Sequence, residues 1–241
     1  MRILFTGDSI TRGSTGTGFV QGIAQALPGC SVQNLGCNGD TMQMICNKLI
    51  AALKLDNRYD AVVLQGGYND ILLPCFRSRK GLFGMAFRSQ QKKGIIAAED
   101  VHTFKVRLIQ AMNKIRLLFP GRLIITTIGC INESLSSQLQ KTRNSYNDVL
   151  REIASVYNAE LADTAVPFDH YLSSHKQNDY CVESFFAVTI SDPLLSCLPG
   201  GVAILSRYRK LHLTTDGVHL NKKGAAIFKS CISARLMETG A

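Results

Sequence analysis

The sequence predicts an α/β fold: a mainly parallel sheet of about five strands, covered by helices on both faces. Two observations carry that prediction. Short apolar runs rich in β-branched residues alternate with longer segments of helical period, the order that builds right-handed crossovers and a parallel sheet. The chain also has 241 residues, of which 46% are hydrophobic and 19% charged, enough to bury a sizeable core.

Residues 3–5 (ILF) read as a short buried strand, and residues 19–27 as a helix closed by Pro28-Gly29. Residues 31–35 (SVQNL) form a second strand. In residues 41–55, Ile45, Leu49, Ala52 and Leu53 recur at helical spacing, and residues 60–65 (DAVVLQ) make a β-branched third strand. A helical stripe of Val101, Phe104, Leu108, Met112, Ile115 and Phe119 stops at Pro120-Gly121, ahead of strand four at residues 123–128 (LIITTI). Leu139, Tyr146, Val149, Ile153 and Tyr157 mark another helix, residues 159–162 (AELA) a short fifth strand, and a final helix starts near Asn221.

Two stretches break the rhythm, residues 72–98 and 164–213; connections of that length are usually functional loops, lids or small subdomains. With no linker, repeat or low-complexity tract, residues 1–241 are expected to form a single domain carrying these two insertions.

Composition narrows the function classes. No run approaches the roughly 20 apolar residues of a membrane-spanning helix, and no charged lead-in followed by a long apolar run opens the chain, so the expectation is a soluble, cytoplasmic protein. The formal charge of +9 is concentrated: between residues 72 and 94 stand Arg77, Arg79, Lys80, Arg88, Lys92 and Lys93 with no acidic residue. No nucleic-acid-binding motif accompanies them, which argues against nucleic acid as the partner. Residues 76–93 mix these cations with Phe76, Leu82, Phe83, Met85 and Phe87. They read first as a solvated loop with aromatics packed on the body, and alternatively as a weak contact for an anionic membrane surface. The eight cysteines include no CxxC pair, which points to reduced thiols rather than a disulfide framework or zinc site.

Ligands of open parallel sheets sit beyond the carboxyl ends of the strands. Here strand one is followed by Gly7-Asp8-Ser9, strand two by Gly36-Cys37-Asn38-Gly39-Asp40 and strand three by Gly66-Gly67-Tyr68-Asn69-Asp70. Far downstream, Asp216-Gly217-Val218-His219 sets a carboxylate three residues from an imidazole, close enough to fix its tautomer and leave the other ring nitrogen as a base. If His219 reaches Ser9, the hydroxyl becomes a nucleophile for an acyl carbon. Candidate donors to the developing oxyanion are the N–H of Ser9, the N–H of Gly36, where the missing side chain permits close approach, and the side-chain amide of Asn69. Asp8 is expected to cap a helix or turn, Asp70 to brace its loop, and His102, His170, His175 and His212 to be surface or satisfied core histidines.

Phosphate-loop readings fail on spacing. Gly16 to Gln21 lacks the last glycine of a dinucleotide fingerprint, and Gly7 to Gly13 has five intervening residues where a Walker loop has four. The serine does not sit in GxSxG either.

GDSIT, NLGCNGDT, GGYND and DGVH, in that order, resemble the four sequence blocks of the SGNH hydrolases, also called GDSL esterases and lipases. The resemblance spans Gly7 to His219 and implies a flavodoxin-like three-layer α/β/α sandwich. It also implies metal-independent hydrolysis of esters or thioesters without a cofactor, with Ser9, Asp216 and His219 catalytic and Ser9, Gly36 and Asn69 forming the oxyanion hole. The expected activity is that of a serine esterase for small-molecule esters of short acyl groups, such as acetyl esters of a carbohydrate. A lysophospholipase or acyl-CoA thioesterase of the same fold is the runner-up, and a non-catalytic ligand-binding module the alternative from another class. The oligomeric state is not written in the sequence.

Overall fold

In the computed structural model, residues 1–77, 97–182 and 190–238 are described. Five strands form one all-parallel sheet in the order β2-β1-β3-β4-β5: β1 Arg2–Thr6, β2 Ser31–Asn34, β3 Ala61–Leu64, β4 Arg122–Thr126 and β5 Glu160–Ala162. That order is the flavodoxin-like doubly wound one, whose switch point lies between β1 and β3. The central strands are apolar because both faces are covered; all four residues of β3 are buried. The edge strand β2 is mostly exposed.

The helices are α1 Ser9–Arg12, α2 Val20–Ala26, α3 Met42–Leu55, α4 Tyr68–Arg77, α5 Val101–Leu118, α6 Gln138–Val156, α7 Ala165–Ser173, α8 Asp192–Ser196, α9 Gly201–Tyr208 and α10 Lys222–Met237. α3 packs on α5, and α5 on α6, where Phe104 and Tyr146 lie 4.7 Å apart. α10 packs on α2 and α7, joined by a row of rings from Phe5 through Phe19 and Phe228 to Phe168. Each layer buries an apolar stripe, the main source of stability for helices of this length. Their ends follow local chemistry. Asp100 caps α5 by accepting the Thr103 N–H at 2.7 Å, and Asn221 caps α10 by accepting the N–H groups of Lys223 and Gly224 at 2.9 and 3.2 Å.

The five predicted strands are present, and the final helix starts one residue after Asn221. Two regions take a form that the sequence left open. After Gly66-Gly67 the chain enters α4, which starts at Tyr68 and continues through Pro74. The described residues of 164–213 hold three helices, α7 to α9. The basic segment 76–93, read first as a solvated loop and alternatively as a weak membrane-surface contact, lies from residue 78 onward outside the described residues. Among the described residues, no helix is long and apolar enough to cross a membrane.

Candidate active site

Strand β1 hands the chain to Gly7, where a side chain would displace its neighbours: a Cβ would lie 2.2 Å from Thr11 Oγ1 and 2.5 Å from Gln65 Oε1. Asp8 then caps the single turn of α1, its Oδ1 accepting the Ile10 N–H at 2.9 Å. Gln65, from the end of β3, completes the clamp. Its Oε1 accepts the Asp8 N–H at 3.2 Å and the Thr11 hydroxyl at 2.7 Å, and its Nε2 donates to Asp8 Oδ2 at 3.2 Å. Burial pushes the Asp8 carboxyl up to about 6 against these hydrogen bonds. Ser9 is thereby fixed as the first residue of a helical turn, half-buried, with its N–H unpartnered among the described residues.

The DGVH stretch is a tight loop closed by an antiparallel bridge between Thr214 and Leu220. Asp216 Oδ1 accepts the N–H groups of Val218 and His219 at 3.0 and 2.7 Å, and Oδ2 lies 2.7 Å from His219 Nδ1. Gly217, at φ +88°, makes the turn; a Cβ there would meet the Tyr180 carbonyl at 2.3 Å. His219 Nε2 stands 3.0 Å from Ser9 Oγ. With Nδ1–H donating to Asp216, Nε2 carries the lone pair and accepts the Ser9 O–H.

Asp216 is fully buried and His219 is 8% exposed. Burial opposes charge on both. On Asp216 it is outweighed by His219 and the two backbone N–H donors, so the carboxyl is held below its ordinary range. On His219 it is outweighed by Asp216, reinforced by Asp8 and Asp192, so the imidazole is held above 6.5. Such a pair can take a proton from the serine and stabilise the imidazolium that results.

The expected donors are disposed differently from one another. Asn69, the second residue of α4, donates one Nδ2 hydrogen to the Asp40 carbonyl at 2.9 Å and keeps a second hydrogen on that nitrogen. The Gly36 N–H is already committed, donating to Asn34 Oδ1 at 2.8 Å. Its bareness serves packing: a Cβ on Gly36 would lie 2.4 Å from Arg12 N and 2.8 Å from Thr11 C, so the close approach is to α1. Three residues on, Gly39 sits at φ +82° in the turn closed by the Asp40 N–H to the Cys37 carbonyl, and its own N–H has no acceptor among the described residues. Asn69 thus holds the carbonyl of the residue that follows Gly39.

Two residues that sequence reasoning passed over therefore matter here, Gly39 and Gln65. The signal for Gly39 was the second glycine of the same block, in a turn that needs positive φ; nothing marked Gln65 beyond a polar residue ending an apolar strand. Asp70 braces its surroundings, accepting the Met42 and Ala98 N–H groups at 2.7 and 3.3 Å.

A sequence profile of the GDSL-like lipase/acylhydrolase family matches residues 5–227. A comparison with curated proteins finds no significant match. Among solved structures, a member of the lipolytic protein G-D-S-L family from Veillonella parvula DSM 2008 has a TM-score of 0.61 at 17% identity, covering 99% of this chain and 100% of that one. The acetyl xylan esterase AlAXEase has a TM-score of 0.63 at 17% identity, with 98% and 100% covered. The acetylxylan esterase Axe2 from Geobacillus stearothermophilus has 0.61 at 21% identity, with 99% and 94% covered. At such identities the superpositions speak for the fold, a three-layer α/β/α architecture.

Proposed function

The chain belongs to the GDSL-like lipase/acylhydrolase family and is an ester hydrolase, and from that premise we propose a serine esterase that works through an acyl-enzyme on Ser9 and removes short acyl groups, such as acetyl groups carried on a carbohydrate or small molecule. The observation that supports the mechanism most is the continuous hydrogen-bonded line Asp216–His219–Ser9, with separations of 2.7 and 3.0 Å.

In this mechanism Ser9 Oγ attacks the ester carbonyl while His219 Nε2 takes its proton. Asp216 keeps Nδ1 protonated and stabilises the cation. The tetrahedral oxyanion is met by the Ser9 N–H, the second Nδ2 hydrogen of Asn69 and an N–H from the 36–40 segment. Gly39 can supply that last donor as it stands, whereas Gly36 must first release Asn34. His219 then protonates the departing alcohol. Water, deprotonated by the same nitrogen, cleaves the acyl-enzyme and frees the acid.

The preference for short acyl groups is supported by the likeness in fold to two acetyl xylan esterases. Eight cysteines without a CxxC pair suit a reducing, cytoplasmic setting. Residues 1–241 make one domain in this reading, with insertions at about 72–98 and 164–213.

A fluorophosphonate probe, read by intact-protein mass and peptide mapping, is expected to add one label on Ser9. A panel of p-nitrophenyl esters, acyl-CoA and lysophospholipid is expected to give the highest kcat/KM with acetate. Labelling elsewhere, or no label, overturns the nucleophile; a maximum at long chains or thioesters overturns the acyl preference in favour of a lysophospholipase or thioesterase.

A further inference from the structure

Glu133 lies in the loop after β4 with 0% exposure, and no basic side chain pairs with it among the described residues. A buried carboxylate without a cation is costly unless donors surround it. Four do, and all come from three consecutive residues about 80 positions away. Oε1 accepts the N–H groups of Leu213 and Thr214 at 2.8 Å each and the Thr214 hydroxyl at 2.7 Å; Oε2 accepts the His212 N–H at 2.6 Å.

These residues are the stem of the loop that carries Asp216 and His219. The contact is also relayed inward. Because the Thr214 hydroxyl donates to Glu133, its oxygen presents a lone pair to the Gly217 N–H, which donates to it at 3.1 Å. The neighbouring Asn132, in the left-handed region at φ +71°, donates its N–H to the Gly217 carbonyl at 2.8 Å. The β4 loop thus grips the stem and the turn of the DGVH segment at once. Only a side chain with two acceptor oxygens and no donor satisfies four converging N–H and O–H groups.

We propose that Glu133 is a positioning residue for the reaction: its carboxylate sets the stem at residues 212–214 so that Asp216 and His219 stand in line with Ser9. It rests on the reading of that site as catalytic. A displacement of about 1 Å in such a line can cost on the order of 100-fold in rate. Ground-state binding of a small ester involves no Glu133 contact, so the loss falls on kcat and leaves KM nearly unchanged.

The test measures p-nitrophenyl acetate hydrolysis, the rate of fluorophosphonate labelling and amide hydrogen exchange on wild type, Glu133→Gln, Glu133→Ala and Thr214→Val. Glu133→Gln keeps one acceptor oxygen for three donors but turns an NH2 towards the His212 N–H, so it should rescue partly. Expected is a graded fall in kcat and labelling rate, about tenfold for Gln and about 100-fold for Ala, with Thr214→Val between wild type and Ala. The residue 213 and 214 amides should exchange faster in Glu133→Ala while the sheet amides stay protected. If Ala does not fold, the Gln and Thr214→Val variants carry the test. Folded variants with wild-type kcat, or with KM and kcat changed alike, overturn the proposal. A wild type without Ser9 labelling or hydrolysis defeats the catalytic reading instead, and the exchange data then separately report whether Glu133 holds the stem.

Discussion

The two ends of the Asp216–His219–Ser9 line are held by different means. Ser9 is fixed by what lies beside it: the Asp8 cap one residue before, the α1 turn it opens, and Gln65 from the adjacent strand. His219 has a local partner in Asp216, but its loop is suspended from distant elements. Glu133 holds the stem from the β4 loop, and Arg209 donates to the Thr215 carbonyl at 2.8 Å while paired with buried Asp192 of α8 at 2.6 Å. The difference teaches where failure falls. Ser9 depends on contacts from its own turn and the neighbouring strand, whereas the base end can also be displaced through elements far from it in sequence.

The largest expected effect tests whether the two ends serve one reaction. Ser9→Ala should lower kcat/KM by at least about 1000-fold with an unchanged melting temperature, since a half-buried hydroxyl contributes little to stability; a fully active alanine variant would dissolve the comparison. Asn69→Ala, scored by kcat on p-nitrophenyl acetate, should cost about 100 to 1000-fold with little change in KM, as the loss of an oxyanion donor does.

Stability separates the ends further. Arg209→Met leaves Asp192 buried and uncompensated, which should cost about 3 kcal/mol in urea unfolding and lower turnover as the Thr215 carbonyl is released. If turnover per folded molecule is untouched, the α8–α9 region does not support the base end.

The pH profile sharpens the comparison. His219 must be neutral to accept the serine proton, and its pKa is raised chiefly by Asp216 against burial. The acid limb of kcat/KM should therefore lie above the ordinary histidine value of about 6.5. A limb below that value would mean that burial wins over the carboxylate.

The smallest effect concerns Asp8, whose carboxyl is raised from 3.8 to about 6. In that interval the folded state holds a proton that the unfolded state has released, so stability falls as pH rises through it. Asp8→Asn should flatten part of this decline in melting temperature, leaving the share of Asp70, which is raised to about 6 for the same reason of burial. An unchanged slope would assign the decline elsewhere.

Much of this was legible in the chain. Strand runs such as AVVL and LII announce burial on both faces, and Asn221 marks a helix start because its side chain can accept the first free N–H groups. Residues 68–70 were harder. Asn and Asp favour turns and helix starts alike, so sequence left open whether GGYND loops outward or begins α4. Gly36 and Gly39 pose the same problem more sharply: both lack a side chain, and only the neighbours of each reveal which one packs on α1 and which one offers a free N–H.

By itself the sequence determined the alternation of strands and helices, the side chains delivered to the strand ends, and the pairing of Asp216 with His219, because each depends on residues within a few positions of one another or on a repeating period. Tertiary structure alone decided that Ser9 meets His219, that Gln65 clamps Asp8 and that Glu133 carries the base loop. These are polar contacts between residues about 50 to 210 positions apart; they leave no periodic trace, and they exist only after the sheet has brought its rims together.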